Sequence, residues 1–157
     1  MDPENVLVLA ELARIQTYSS SLLSTDQERL RRLEEARDNI QRAVALDPDN
    51  STAQAVKAFV LDWNASSNLI SIEQREAYLI EAESAANRAY LLDPDNALAL
   101  AFYAEVLIDQ LKWDQALEYA EQAVNRSPDS MDTHRVYGTV LESTGAYRAA
   151  IDEYDRA

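Results

Sequence analysis

Four short turn-forming segments divide the chain, and their spacing constrains the fold more than any other feature. They are Asp2-Pro3-Glu4-Asn5, Asp47-Pro48-Asp49-Asn50, Asp93-Pro94-Asp95-Asn96 and Ser127-Pro128-Asp129-Ser130. The prolines lie at 3, 48, 94 and 128, at intervals of 45, 46 and 34 residues. Self-similarity of this period marks a repeat architecture, in which each unit buries its apolar face only against a neighbour. Proline disfavours helical geometry in the residue before it and so ends one helix. Asp49, Asn50, Asp95 and Asn96 are placed to cap the helix that follows and to put negative charge at its N-terminus. The other reading of Asp-x-Asp, the opening of a calcium loop, lacks the glycine and the bidentate Glu such a loop needs.

Between these turns the apolar residues recur at helical spacing. Leu100, Tyr103, Ala104 and Leu107 share one face of a first helix, Ala116, Ala120 and Ala123 one face of a second, and Pro128 closes the unit. The next unit repeats the spacing with His134, Tyr137, Gly138 and Leu141, then Gly145 at the turn, then Ala150, Tyr154 and Ala157. Small residues (Ala104, Gly138, Ala116, Ala150) let two antiparallel helices approach closely, and Tyr103, Tyr137 and Tyr154 fill the holes between hairpins. The 34-residue pattern resembles the tetratricopeptide repeat family, strongly over residues 97–157 and more weakly over 1–96.

The earlier units depart from that pattern in an orderly way. Aligned on Pro48 and Pro94, Thr25 falls on Ser71, Glu28 on Gln74, Ala36 on Ala82, Arg42 on Arg88 and Ala43 on Ala89. Thr25-x-x-Glu28 and Ser71-x-x-Gln74 are capping boxes that start helices. Ala13 and Ala58 take the place of Ala104 and Gly138, whereas Gln54 and Lys57 stand where the family usually has apolar residues. About a dozen extra residues per unit surround the turn, in Ser- or Asn-rich segments, Thr17–Thr25 and Asn64–Ser71, each with one apolar pair (Leu22-Leu23, Leu69-Ile70). Half a dozen extra residues in each helix would lengthen each arm by roughly 9 Å. The spacing predicts helices near 4–23, 26–46, 51–66, 72–92, 97–110, 114–126, 131–143 and 147–157. The fold class expected from the resemblance is all-α, a right-handed α-α superhelix (solenoid) of about four helix-turn-helix hairpins, the first two elongated. Its units run approximately 4–48, 49–94, 95–128 and 129–157. The last is about one turn short and no polar capping helix follows, so the chain reads as a piece of a longer array.

Composition narrows the chemistry. With 28 acids against 14 basic residues the formal net charge is −14, which argues against nucleic acid, whose phosphates want a basic face. Two glycines cannot build a phosphate-cradling loop, and the lack of cysteine excludes disulfides and thiolate metal sites. His134 is the one histidine; it falls where a first helix packs on the preceding hairpin and reads as a packing residue. No enzyme motif, cofactor or metal is expected. No apolar stretch approaches the roughly 18 residues of a membrane span. The run Val6–Ala10 has no basic residue before it, unlike a signal peptide, so a cytoplasmic location is expected. Arg29, Arg31, Arg32, Arg37 and Arg42 alternate with Asp26, Glu28, Glu34, Glu35 and Asp38, leaving that helix neutral and without a basic patch for RNA. Glu34-Glu35 and Asp152-Glu153 read as solvated helix faces. Trp113 lies where Tyr147 lies one repeat later and reads as inter-helix packing. Trp63 has two readings, core of the long arms or binding surface.

The resemblance implies a concave groove lined by the first helix of each unit, holding a peptide or a helix of a partner protein. The groove positions are Arg14, Tyr18, Phe59, Asp62, Trp63, Glu105, Asp109, Arg135 and Thr139. Family members that grip chaperone C-terminal carboxylates use Lys, Arg and Asn there; one or two arginines against three acids do not fit. Aromatic and acidic residues instead suit a partner with basic and apolar side chains. The expected function is a non-catalytic interaction or scaffold module. The alternatives are a regulatory or substrate-recruiting segment of a larger enzyme, and a self-associating scaffold. Tyr147, Ala150, Ile151 and Tyr154 on the open C-terminal hairpin offer a surface for a homodimer.

Overall fold

The computed structural model describes residues 5–157. Residue 4, where the first helix and unit were expected to begin, and the Asp2-Pro3-Glu4 part of the first turn lie outside the described residues. Eight helices fill the described chain: α1 (Val6–Ser20), α2 (Asp26–Leu46), α3 (Ser51–Ala65), α4 (Ile72–Leu92), α5 (Ala97–Asp109), α6 (Trp113–Arg126), α7 (Met131–Ser143) and α8 (Tyr147–Tyr154). They pair as hairpins, α1 with α2, α3 with α4, α5 with α6 and α7 with α8. The first helices stack in the order α1, α3, α5, α7, as a solenoid requires.

The extra length of the first two units is shared unequally. The second helices α2 and α4 have 21 residues against 14 in α6, whereas α1 and α3 have 15 against 13 in α5 and α7. The expected end of α1 at residue 23 gives way to an end at Ser20. The hydroxyls of Ser19, Ser20 and Ser21 donate to the carbonyls of Gln16, Thr17 and Tyr18 at 3.1, 2.7 and 2.8 Å. Serine competes in this way with regular backbone pairing and favours the end of a helix. The remaining inserted residues form the hairpin tips.

Both capping boxes are present: Thr25 with Glu28 and Ser71 with Gln74 exchange side-chain and backbone hydrogen bonds. Asn5, Asn50 and Asn96 cap α1, α3 and α5 through their side-chain oxygens. Asp49 and Asp95, expected to share that role, do something else. The Arg88 Nη2 stands 2.6 Å from Asp49 Oδ1, and Arg126 holds Asp95 in the same way one unit later. Each arginine thus ties a second helix to the turn preceding its own hairpin.

The core is built largely from alanine. Ala13, Ala36, Ala58, Ala82, Ala86, Ala104, Ala116 and Ala120 are sealed from solvent, so hairpin backbones approach closely and bury area at little side-chain entropy cost. Phe59 and Phe102 stack face to face with ring centroids 4.7 Å apart and join units two and three. The two polar departures are satisfied: Gln54 Nε2 donates to the Pro48 carbonyl at 2.8 Å, and Lys57 Nζ pairs with Glu81 of α4 at 2.7 Å. Arg37, one of the arginines of that neutral helix, turns inward. Its Nη1 donates to Asn64 Oδ1 at 3.1 Å and to the Tyr78 hydroxyl at 2.6 Å, bolting the two long hairpins together.

His134 is buried, as its packing role demands, and both ring nitrogens are used. Nδ1 lies 2.6 Å from Glu153 Oε2 and Nε2 lies 2.7 Å from the Pro128 carbonyl. This corrects the reading of Glu153 as solvated: α8 presents it to the imidazole, and it is 8% exposed. Asp152 faces solvent. Trp113 is half-buried at the start of α6. Gly145 has φ +83°, the left-handed geometry glycine adopts freely, and a Cβ at Gly138 would stand 2.6 Å from the Tyr154 ring.

Candidate functional site: the concave face and its distal cleft

The first helices bring most of the expected groove residues together, and many of them touch one another. Arg14 of α1 reaches Asp132 of α7, Nη1 to Oδ2, at 2.5 Å. The Tyr18 hydroxyl donates to the other oxygen of Asp132. Arg135 Nε donates to that same hydroxyl at 2.9 Å, and its two terminal nitrogens grip Glu105 with both bonds at 2.8 Å. The Arg135 guanidinium also lies over the rings of Tyr18 and Phe59, at 5.5 and 5.6 Å. The first and fourth hairpins are therefore bridged by side chains across the concave face.

Burial works against the Arg135 charge, but paired Glu105 and the Tyr18 oxygen outweigh it and hold the guanidinium charged. Burial, more than the neighbouring carboxylates, pushes the Tyr18 phenol upward, so it serves as a hydrogen-bond donor. A planar guanidinium with two parallel bonds to a carboxylate is among the stronger charge-assisted arrangements. Phe59, at 1% exposure, forms the floor beneath it. Thr139 is turned inward along α7, its hydroxyl donating to the Arg135 carbonyl at 3.0 Å.

Beyond this bridge the face opens. A cleft of about 670 Å³ lies between the tips of the two long hairpins. Asp62, Trp63 and Glu105 meet Ser20, Ser21, Asp26 and Arg29 from the first hairpin and Ser66, Ser67, Asn68 and Leu69 from the second. Trp63 stands edge-on to Tyr18 and Phe59, with centroids at 5.6 and 5.5 Å, and also lines the cleft. Trp63 thus packs with the aromatic core and borders the cleft at once. Arg29 is turned to its own hairpin, where Nε donates to the Leu23 carbonyl at 3.0 Å.

Asp62 is the unusual member. It is 6% exposed, and its Oδ1 has no hydrogen-bond partner among the described residues. Burial pushes its carboxyl well above the ordinary aspartate range, and Glu105 and Asp109 push the same way against a smaller pull from Arg135. Asp109 itself is exposed at the end of α5. Among the described residues no three acids or histidines converge as metal ligands would.

Two parts of the site were not singled out from sequence. Asp132 sits in the first turn of α7, where an acid is expected for capping, so nothing local marks it as the partner of Arg14 and Tyr18. The Ser-rich insertions were visible as segments; only the folded tips show that they wall a cleft.

Residues 104–157 match the tetratricopeptide repeat family, and the chain as a whole has the helix-hairpin solenoid fold of tetratricopeptide-repeat structures. Over 99% of its length it superposes on a thermophilic TPR protein of Thermus thermophilus, with TM-score 0.73, 20% identity and 74% of that chain covered. The first TPR domain of the human RPAP3 protein matches over 93% of this chain and 97% of its own, with TM-score 0.57 and 16% identity. MamA matches over 99% of this chain and 77% of its own, with TM-score 0.53 and 18% identity. No curated protein matches the sequence. Tetratricopeptide folds are generally non-catalytic modules for protein–protein interaction. No helix among the described residues is long and apolar enough to cross a membrane.

Proposed function

We propose that this chain is a protein-interaction module whose concave face holds a peptide or helix rich in basic and apolar side chains. The observation that carries this reading is the cluster of Asp62, Glu105 and Asp109 on that face, whose mutual push on Asp62 exceeds the pull of Arg135. Arg14 and Arg135 are engaged within the bridge, so they support the face rather than offer charge to an acidic tail. Charge complementarity of this kind sets on-rate and specificity more than affinity. Two twelve-residue amphipathic peptides, one with lysines and one with glutamates on the polar face, test it. Saturable NMR shifts at Asp62, Glu105, Asp109 and Thr139 with the basic peptide, weakened by salt, are expected. Equal response to both peptides, or to neither, overturns it.

The C-terminal hairpin favours a second reading, self-association. Tyr147, Ile151 and Tyr154 are 65, 58 and 38% exposed on one end of the solenoid, whereas Ala150, expected beside them, is buried at the helix contact. Sedimentation at rising concentration tests this: a Tyr147→Ser, Ile151→Ser variant remains monomeric where the parent dimerises. A parent that stays monomeric throughout removes the idea.

A further inference from the structure

The bridge between the first and fourth hairpins engages Arg14, Tyr18, Glu105 and Arg135 with one another, and the same face continues into the open distal cleft. We infer that this cleft is an anchor pocket for a single arginine side chain of a partner peptide, with Asp62 as its counter-charge and Trp63 as its stacking wall. This rests on the interaction-module reading and narrows it to one residue of the partner.

Four observations converge on that occupant. The cleft's size lies within the 300–1,000 Å³ usual for ligand sites. Asp62 lines it with a buried oxygen that lacks a partner, and such orphaned acceptors are rare in native structures unless something completes them. Trp63 lines the same space half-buried, and tryptophan is the preferred face for a cation. Polar side chains from both tips border the cleft, Ser20 and Ser21 on one and Ser66, Ser67 and Asn68 on the other, with Leu69 half-buried beside them. A guanidinium suits this combination better than an ammonium: it is planar, weakly hydrated and able to stack while bonding a carboxylate.

The charged groups facing the pocket are consistent. Glu105 is already gripped by Arg135, Arg29 is turned to Leu23 and Asp26, and Asp109 faces Asp62 as a second acid in hydrogen-bonding reach, so among the described residues no cation is paired with Asp62. Its carboxyl is raised by burial and by its acidic neighbours, so an arriving cation displaces a proton and binding strengthens as pH rises. Both insertions contribute, since Ser20 and Ser66 come from the two tips.

The test uses a Trp113→Phe protein, in which Trp63 is the only tryptophan, and capped pentapeptides Leu-Leu-Xaa-Leu-Leu with arginine, lysine or citrulline at Xaa. Expected are a change in Trp63 emission and ~tenfold tighter binding of the arginine peptide than of its neutral citrulline isostere at pH 7.5, with the gap shrinking at pH 5. Adding Asp62→Asn abolishes the gap while the protein stays folded by circular dichroism. An equal response to arginine and citrulline, a gap that survives Asp62→Asn, or no Trp63 response at millimolar arginine peptide overturns the pocket. The longer basic peptide is titrated into the parent protein. Its binding to the parent while the arginine and citrulline pentapeptides respond alike would sink the arginine anchor but leave the interaction-module reading standing; its failure on the parent would sink both.

Discussion

Arg14 and Asp132 lie 118 residues apart in sequence, yet their side chains form an ion pair with 2.5 Å between Nη1 and Oδ2. In an ideal solenoid each repeat contacts only its neighbours and stability is nearly a sum of local terms. This pair, with Tyr18 on the second oxygen of Asp132, adds a direct link between the first and last hairpins. Removing one member of a buried pair strands the other. Asp132→Ala is expected to cost about 2–3 kcal/mol, toward the low end of such losses because Arg14 keeps Glu11 at 2.7 Å. Chemical denaturation measures the loss, and hydrogen exchange locates it. Amides of α1, far from the mutation in sequence, lose protection; unchanged exchange in α1 would mean the link carries no coupling.

Leu111 occupies the turn position that Gly145 holds one repeat later, and it has φ +59°. Both turns close with the same bonds: the residue's own amide to the carbonyl three back, at 2.9 Å for Leu111 and 3.0 Å for Gly145, and the next amide to the carbonyl five back. Left-handed geometry costs a side-chain-bearing residue about 1–2 kcal/mol. Leu111 is 69% exposed, so little burial offsets it. Leu111→Gly is therefore expected to stabilise the protein by about 1 kcal/mol after glycine's extra unfolded-state entropy, and Gly145→Ala to destabilise it by a similar amount. Opposite shifts in the thermal midpoint check this; two shifts of the same sign contradict it.

Much of this architecture is legible in the chain, and the illegible part has a physical reason. Proline and Asn at the turns, capping boxes at Thr25 and Ser71, and alanine at helix contacts are local signals, so helix boundaries come out within a few residues. Glu153 reads as exposed because its partner His134 lies 19 residues away on the facing helix. Asp49 and Asp95 look like caps because Arg88 and Arg126 are 39 and 31 residues distant. The groove positions follow from the repeat register. Whether they face a ligand or each other depends on how far the solenoid curls, and Arg14 meets Asp132 only because four units curl enough. No single repeat encodes that.

The turns offer a contrast between capping and ion pairing. Asn96 accepts the amides of Leu98 and Ala99 at 3.0 and 3.3 Å, and its amide donates to the Ser51 and Thr52 hydroxyls of the previous unit at 3.0 Å each. Its neighbour Asp95 pairs with Arg126 across exposed surface. Caps contribute about 1 kcal/mol and exposed pairs a few tenths. Asn96→Ala is expected to cost about 1–2 kcal/mol and Asp95→Ala under about 0.5 kcal/mol, with the second but not the first effect vanishing in high salt. Denaturation midpoints at low and high ionic strength separate the two; a larger loss at Asp95 would reverse the assignment.

Asp62 gives the protein a pH dependence of definite sign. Burial first, then Glu105 and Asp109, raise its carboxyl in the folded state above the unfolded value, near 3.9 for aspartate. Over the interval between those two values the folded state binds more protons than the unfolded one, so stability falls as pH rises. Below the unfolded value both states are protonated and the penalty disappears; above the folded value both are ionised and it is fully present. Asn at this position keeps the shape and removes the charge. Asp62→Asn is therefore expected to be more stable than the parent at neutral pH, with the advantage shrinking toward zero by about pH 4. Urea unfolding of both proteins from pH 4 to 8 measures the difference. An advantage that is flat across that range would show that Asp62 is ionised throughout, and a loss of stability at pH 7 would show that its charge holds the hairpin tips together.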